Sequence, residues 1–125
     1  MVVRQGDVVW LNLPRPTGSG PGGRRPAIVL QHDRFNRSRI QTAVVAPVTS
    51  TLKLGEAPGN LRLRKREGGL ARPSVVNVSQ LVAVDLDRVG PRIGRLTPRR
   101  LAELWRGVRL LLEPAPEVLA LLGEA

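Results

Sequence analysis

The chain has no cysteine and a single histidine, His32. Without thiols there is no disulfide framework, no thiolate metal site and no cysteine nucleophile. A lone histidine excludes a histidine acid–base pair. Carboxylates are also scarce: the sequence has ten Asp and Glu, and the closest pair, Asp85 and Asp87, reads as part of a turn. A two-metal nuclease needs several carboxylates converging on one point, so no metal site is expected. No phosphate loop of the GxxxxGKS kind occurs. Apolar residues make up 42% of the chain but are too scattered to form a membrane span. The stretch MVVRQGDVVW lacks the charged, apolar and small-residue sections of a signal peptide. The expectation is a cytoplasmic protein without metal or cofactor, whose chemistry would rely on arginine, hydroxyls and backbone amides.

What is abundant is positive charge. Twenty Lys and Arg against ten acids leave a formal net charge of +10, and only Lys53 and Lys65 are lysines. The other eighteen cations are arginines. A guanidinium offers a planar fork that binds phosphate through two hydrogen bonds, where an ammonium offers a mobile point charge. A polyanionic partner is the leading expectation, nucleic acid first. Compositional bias toward arginine accounts for part of the same count.

With 125 residues and neither repeat nor linker, the chain reads as one domain over residues 1–113, followed by a tail, 114–125. VVWLNL (8–13) reads as a strand, and PRPTGSGPGG (14–23) as an irregular loop. Further strands are predicted from about Arg25 to His32 and from Gln41 to Val48, with the polar connection DRFNRSR between them. LRLRKR (61–66) alternates leucine with basic residues, as a half-exposed strand does, and SVVNVSQLVAV (74–84) suggests one or two more. Thr97-Pro98 opens a helix with a hydroxyl cap and a proline in the first turn. Leu101, Leu104, Trp105, Val108, Leu111 and Leu112 form its apolar stripe, and Pro114 ends it. PEVLALLG in the tail suggests one more short turn of helix. Strands first and a helix last make an α+β domain, with a compact antiparallel sheet or small barrel.

Two stretches can supply chemistry. In GGRRPAIVL (22–30) two arginines precede a buried-looking strand, and alternation puts Arg25 with Ala27 and Val29, and Ile28 with Leu30 and His32. Arg24 reads either as a solvated loop charge or as a phosphate contact. PVTST (47–51) ends a strand with three consecutive hydroxyls, which either cap a turn or, beside an arginine, form a donor pocket for phosphate. Trp10 and Trp105 read as core residues. Phe35 is either a stacking residue or a loop anchor, and Gln80 either a base-edge contact or a partner for buried backbone.

Taken together, GDVVWLNL, GGRRPAIVL, VVAPVTS, APGNLRL, SVVNVSQLVAVD and RIGRLTPRRLAEL resemble the MazF/PemK family of toxin endoribonucleases, in the family's order and spacing from about Gly6 to Leu112. The resemblance implies a small antiparallel SH3-like barrel with a C-terminal amphipathic helix, forming a homodimer. It implies cleavage of single-stranded RNA at short sequences without metal, and inhibition by a cognate acidic antitoxin. It assigns catalysis to Arg25 and Thr49, with Arg24, Ser50, Phe35 and Gln80 as RNA-binding candidates. Many relatives carry Gly-Ser-Glu before the arginine; here the sequence is Gly18-Ser19-Gly20, and Gln80 leads into Leu81-Val82-Ala83. An acidic group near the arginine is therefore missing. Two other readings stay open at this level: a non-catalytic basic nucleic-acid-binding barrel, and a CcdB-like toxin acting on a protein target.

Overall fold

The structure, a computed structural model, describes residues 2–14, 18 and 23–123. Seven strands form one curled sheet: β1 (Asp7–Leu13), β2 (Gly23–Val29), β3 (Thr42–Thr49), β4 (Leu61–Leu63), β5 (Ser74–Val76), β6 (Val82–Asp85) and β7 (Val89–Arg95). Their order is β4-β5-β3-β2-β1-β7, with β6 also paired to β3, and every pairing is antiparallel. Three helices complete the fold, α1 (Asp33–Asn36), α2 (Pro98–Leu112) and α3 (Pro116–Leu122). This is the expected α+β architecture.

Strand alternation divides the interior in two. Val8, Ile28, Ala46 and Val48 point to a core that also takes Leu104 and Val108 of α2. Val9, Leu11, Ala27, Val29 and Val45 point to a second core on the other face. Each buried Val, Leu or Ile side chain among them contributes about 1.5–3 kcal/mol of transfer free energy. β3 is the central strand. One edge pairs with β2, while the other pairs with β6 along Thr42–Val45 and with β5 at Val48–Thr49. A 3-10 turn at Val78–Gln80 separates β5 from β6, so the 74–84 stretch resolves into two strands along one edge.

Several boundaries differ from those expected. β2 begins at Gly23 and ends at Val29, because His32 leaves the strand to cap α1, its Nδ1 accepting the Arg34 N–H at 3.0 Å. The connection 33–39 thus contains a short helix. LRLRKR is strand only over Leu61–Leu63, since β5 offers a three-residue partner and Arg66 takes a left-handed φ of 74°. β7 was not foreseen, because Gly90, Pro91 and Gly94 mask a strand signal. As an edge strand paired only to β1, with two register shifts, it tolerates them. On α2 the cap holds, Thr97 Oγ1 accepting the Arg100 N–H at 3.2 Å, but the apolar stripe is not covered to its end: Leu111 and Leu112 are exposed.

β4 and β7 are the edges of the curled sheet, and the turn at Glu67–Gly69 closes the gap between them. A Cβ on Gly94 would lie 2.3 Å from the Gly68 carbonyl oxygen, and one on Gly69 would lie 2.4 Å from that of Ile93. Arg100 fastens this turn to α2. Its Nε donates to Glu67 Oε2 at 2.6 Å, and its other nitrogens donate to Glu103 and the Arg62 carbonyl. A second close approach lies under α2, where a Cβ on Gly107 would stand 1.9 Å from the Gly59 carbonyl oxygen.

Two outcomes follow from these contacts. Gly107→Ala should destabilise by about 1–3 kcal/mol through overpacking, although alanine in an open helix gains about 1 kcal/mol over glycine. Thermal unfolding checks the sign, and a raised Tm would contradict the close approach. The second concerns pH. Burial would raise the Glu67 pKa, but the Arg100 guanidinium and the Arg64 N–H outweigh it and hold the carboxyl below its ordinary value. A depressed carboxylate contributes stability above its unfolded pKa and loses it as pH falls through the folded one. Denaturant titrations should therefore show the stability gap between wild type and Glu67→Gln closing below about pH 4.3. A gap that persists at acid pH would remove Glu67 from the clamp.

Candidate functional site

A cavity of about 560 Å³ opens where the first core reaches the end of the sheet. Trp10 of β1 and Arg24, Arg25 and Pro26 of β2 form one wall, and Val48, Thr49 and Ser50 form the floor. The opposite wall is the segment Gly69–Arg72 with Ser74, and Ile93 of β7 lies beside it.

The register explains why these residues meet. β2 and β3 pair Ala27 with Pro47 and Ile28 with Ala46. Continued by two residues, that register sets Arg25 across from Thr49. On the other side of β2, Arg25 faces Leu11, while Trp10 faces Pro26 and Asn12 faces Arg24. β5 meets Thr49 through Val75, and one more step sets Ser50 across from Ser74. Arginine and hydroxyl groups far apart in sequence thus become cross-strand neighbours on one sheet.

The lining chemistry is that of donors. Among the described residues, no Asp, Glu, His or Cys lines the cavity. Thr49 Oγ1 accepts the Thr51 N–H at 3.2 Å, which leaves its hydroxyl proton to donate. Arg25 is half-buried and Arg24 exposed. The Arg24 guanidinium carbon lies 4.1 Å from the centroid of the Trp10 ring, a cation–π contact. Ser74 is buried and its Oγ donates to the Arg72 carbonyl at 2.9 Å. A second concavity of about 510 Å³ shares Ser74 and is bordered by Arg62, Arg64, Lys65 and Arg100. Positive charge therefore extends beyond the first cavity. A pentacoordinate phosphorus with its negative oxygens matches this set of donors.

Of the residues singled out from the sequence, Arg24, Arg25, Thr49 and Ser50 are brought together. Phe35 and Gln80 are not among the cavity's lining residues. Phe35 lies on α1, beyond the far end of β2, and at 54% exposure it does not anchor a loop to the core. Gln80 is half-buried in the turn between β5 and β6. Ala83 sits on β6 opposite Val44. Gly18 is exposed, while Ser19 and Gly20 lie outside the described residues. The core role expected for Trp10 is corrected: it is half-buried and lines the cavity, because the sheet continues there past the first core. Its one sequence signal was an indole within an otherwise aliphatic strand. Arg72 and Ser74 were also missed.

Comparison with known proteins places these observations in context. The model of the PemK-like, MazF-like toxins of type II toxin–antitoxin systems matches residues 4–112. The chain is 36% identical over 113 residues to endoribonuclease MazF6 of Mycobacterium tuberculosis, covering 90% of this chain and 99% of that protein. The crystal structure of MazF from Deinococcus radiodurans superposes with a TM-score of 0.77 at 29% identity, over 91% of this chain and 99% of that one. A MazE–MazF structure from the same organism gives 0.73 at 28% identity, over 92% and 99% of the two chains.

Proposed function

Since the chain belongs to the PemK-like, MazF-like family of type II toxins, we propose that it is a metal-independent, sequence-specific endoribonuclease acting on single-stranded RNA. The observation that carries this reading is that Arg25 and Thr49 line one donor-rich cavity. RNA brings its own nucleophile, the 2′-hydroxyl. The protein's task is to hold that oxygen in line with phosphorus and to stabilise charge on the phosphoryl oxygens. As the 2′-oxygen–phosphorus bond forms, the bond to the 5′-oxygen breaks. The 2′-hydroxyl gives up its proton and the 5′-oxygen takes one, leaving a 2′,3′-cyclic phosphate and a 5′-hydroxyl. Arg25 acts by charge and hydrogen bonding through its planar guanidinium fork. Thr49 hydrogen-bonds the same oxygens through its hydroxyl, and Arg24 and Ser50 bind the RNA beside the scissile phosphate.

The toxin domain is taken as residues 1–113, with 114–125, including α3, as an appendage. A net charge of +10 suits capture of RNA and, in turn, silencing by an acidic cognate antitoxin. Solved relatives in complex with MazE support that partner. The working form is a cytoplasmic homodimer; among the described residues no helix is long and apolar enough to cross a membrane.

Incubation of a long mixed-sequence RNA with purified protein in EDTA tests the reading. Discrete fragments with cyclic-phosphate ends are expected. Arg25→Ala and Thr49→Val should each slow cleavage by about 10²–10³-fold, the cost of removing one charge-stabilising donor. Thr49→Ser should retain most activity. RNA that stays intact with the wild type would reject the proposal.

A further inference from the structure

Trp10 is the one aromatic residue at the cavity. Trp105 packs from α2 against the first core, and Phe35 lies on α1. On β1, Val8, Val9 and Leu11 are fully buried, whereas Trp10 between them keeps part of its surface open. The root of the side chain is fixed from both sides: Trp10 pairs with Pro26 on β2, and a Cβ on Gly90 of β7 would lie 3.4 Å from the Trp10 Cβ. The guanidinium of Arg24 lies on the ring at 4.1 Å. Among the described residues, no carboxylate pairs with Arg24. An arginine placed only for solubility would keep its rotamer freedom. Here the guanidinium carbon is held over an aromatic ring at the rim of a cavity, which fixes where its charge sits.

A guanidinium over a ring on one side still offers its other side, and Arg24 is exposed. Splayed nucleobases stack on arginine planes and on aromatic rings. Arg24 and Arg25 are adjacent along β2, about 3.3 Å apart in rise, and both line the same cavity. A nucleotide whose phosphate meets Arg25 therefore has its neighbouring base within reach of Arg24. Resting on the proposed ribonuclease reading, we propose that Trp10 and Arg24 form a nucleobase-stacking subsite for the nucleotide flanking the scissile phosphate. Trp10 is the rigid base of this shelf and Arg24 is its contact surface. The subsite selects substrate by the presence and size of a base, while Arg25 and Thr49 act on the phosphate.

The test uses an RNA oligonucleotide containing a mapped cleavage site, and a copy that is abasic at the flanking position. The wild type should cleave the base-bearing oligonucleotide with a kcat/KM roughly 10-fold or more above the abasic one, the scale of one stacked base. In Arg24→Ala that ratio should fall to about one, with thermal unfolding confirming that the variant is folded. A second readout does not depend on catalysis. Trp105→Phe leaves Trp10 as the sole tryptophan, and its emission should be quenched by an uncleavable 2′-O-methyl oligonucleotide and not by the abasic 2′-O-methyl copy. An Arg24→Ala variant that loses activity equally on both substrates would make Arg24 a phosphate ligand and overturn the subsite. So would unchanged Trp10 emission when anisotropy shows the oligonucleotide bound. Absence of any RNA cleavage by the wild type would instead remove the ribonuclease reading, and the subsite with it.

Discussion

The register of β2 between its neighbours is the constraint on which the site depends. β2 is paired on both edges, and its residues Ala27 to Val29 are fully buried, so the pairing has no freedom to slip. A one-residue slip would turn Ala27 and Val29 out of the second core and Ile28 out of the first. The same register, run past the end of the buried section, sets Arg25 across from Thr49 and Arg24 diagonal to Trp10. The core thus specifies the site although it contributes no functional group. Rigid placement of this kind is what electrostatic stabilisation needs, since donors that must reorganise lose much of their effect.

The far wall of the cavity is set by a different device. Gly69 to Arg72 follow the turn that bridges β4 and β7, and that turn is held by backbone contact at Gly68, Gly69 and Gly94. Contacts this short admit no side chain, so glycine at position 94 is a matter of space, and at position 69 of a left-handed φ of 84° as well. Arg100 adds the electrostatic fastening, through Glu67 and the Arg62 carbonyl. Helix α2 therefore does more than cover a core. It holds the closure whose other side lines the cavity.

Much of this was legible in the sequence, and the exceptions have physical causes. Alternating apolar residues in VVWLNL and PAIVL, and the Thr97-Pro98 cap, report local periodicity and local hydrogen bonding, which sequence carries directly. β7 was hidden because an edge strand with one partner needs little strand propensity. The division of 74–84 was hidden because both halves serve one edge of β3, a tertiary fact. At the site, Arg25 and Thr49 stand in recognisable motifs. Trp10 was assigned to the core because alternation gives the face of a strand but not how far the core extends along it. Arg72 and Ser74 reach the cavity only through the barrel's closure, which no local pattern encodes.

The distribution of ion pairs bears on how such a site is controlled. The acids that engage arginines in the structure stand away from the cavity: Asp7 pairs with Arg95 at 2.6 Å, and Glu67 and Glu103 hold Arg100. No carboxylate lines the cavity itself among the described residues. Neutralising it from within would stabilise the free protein but would compete with a phosphate for the same donors. Leaving it cationic accepts some self-repulsion, which a bound polyanion relieves. An inhibitor can exploit the same imbalance by supplying the missing carboxylates. On the proposed function, substrate capture and inhibition would draw on a single property of the cavity.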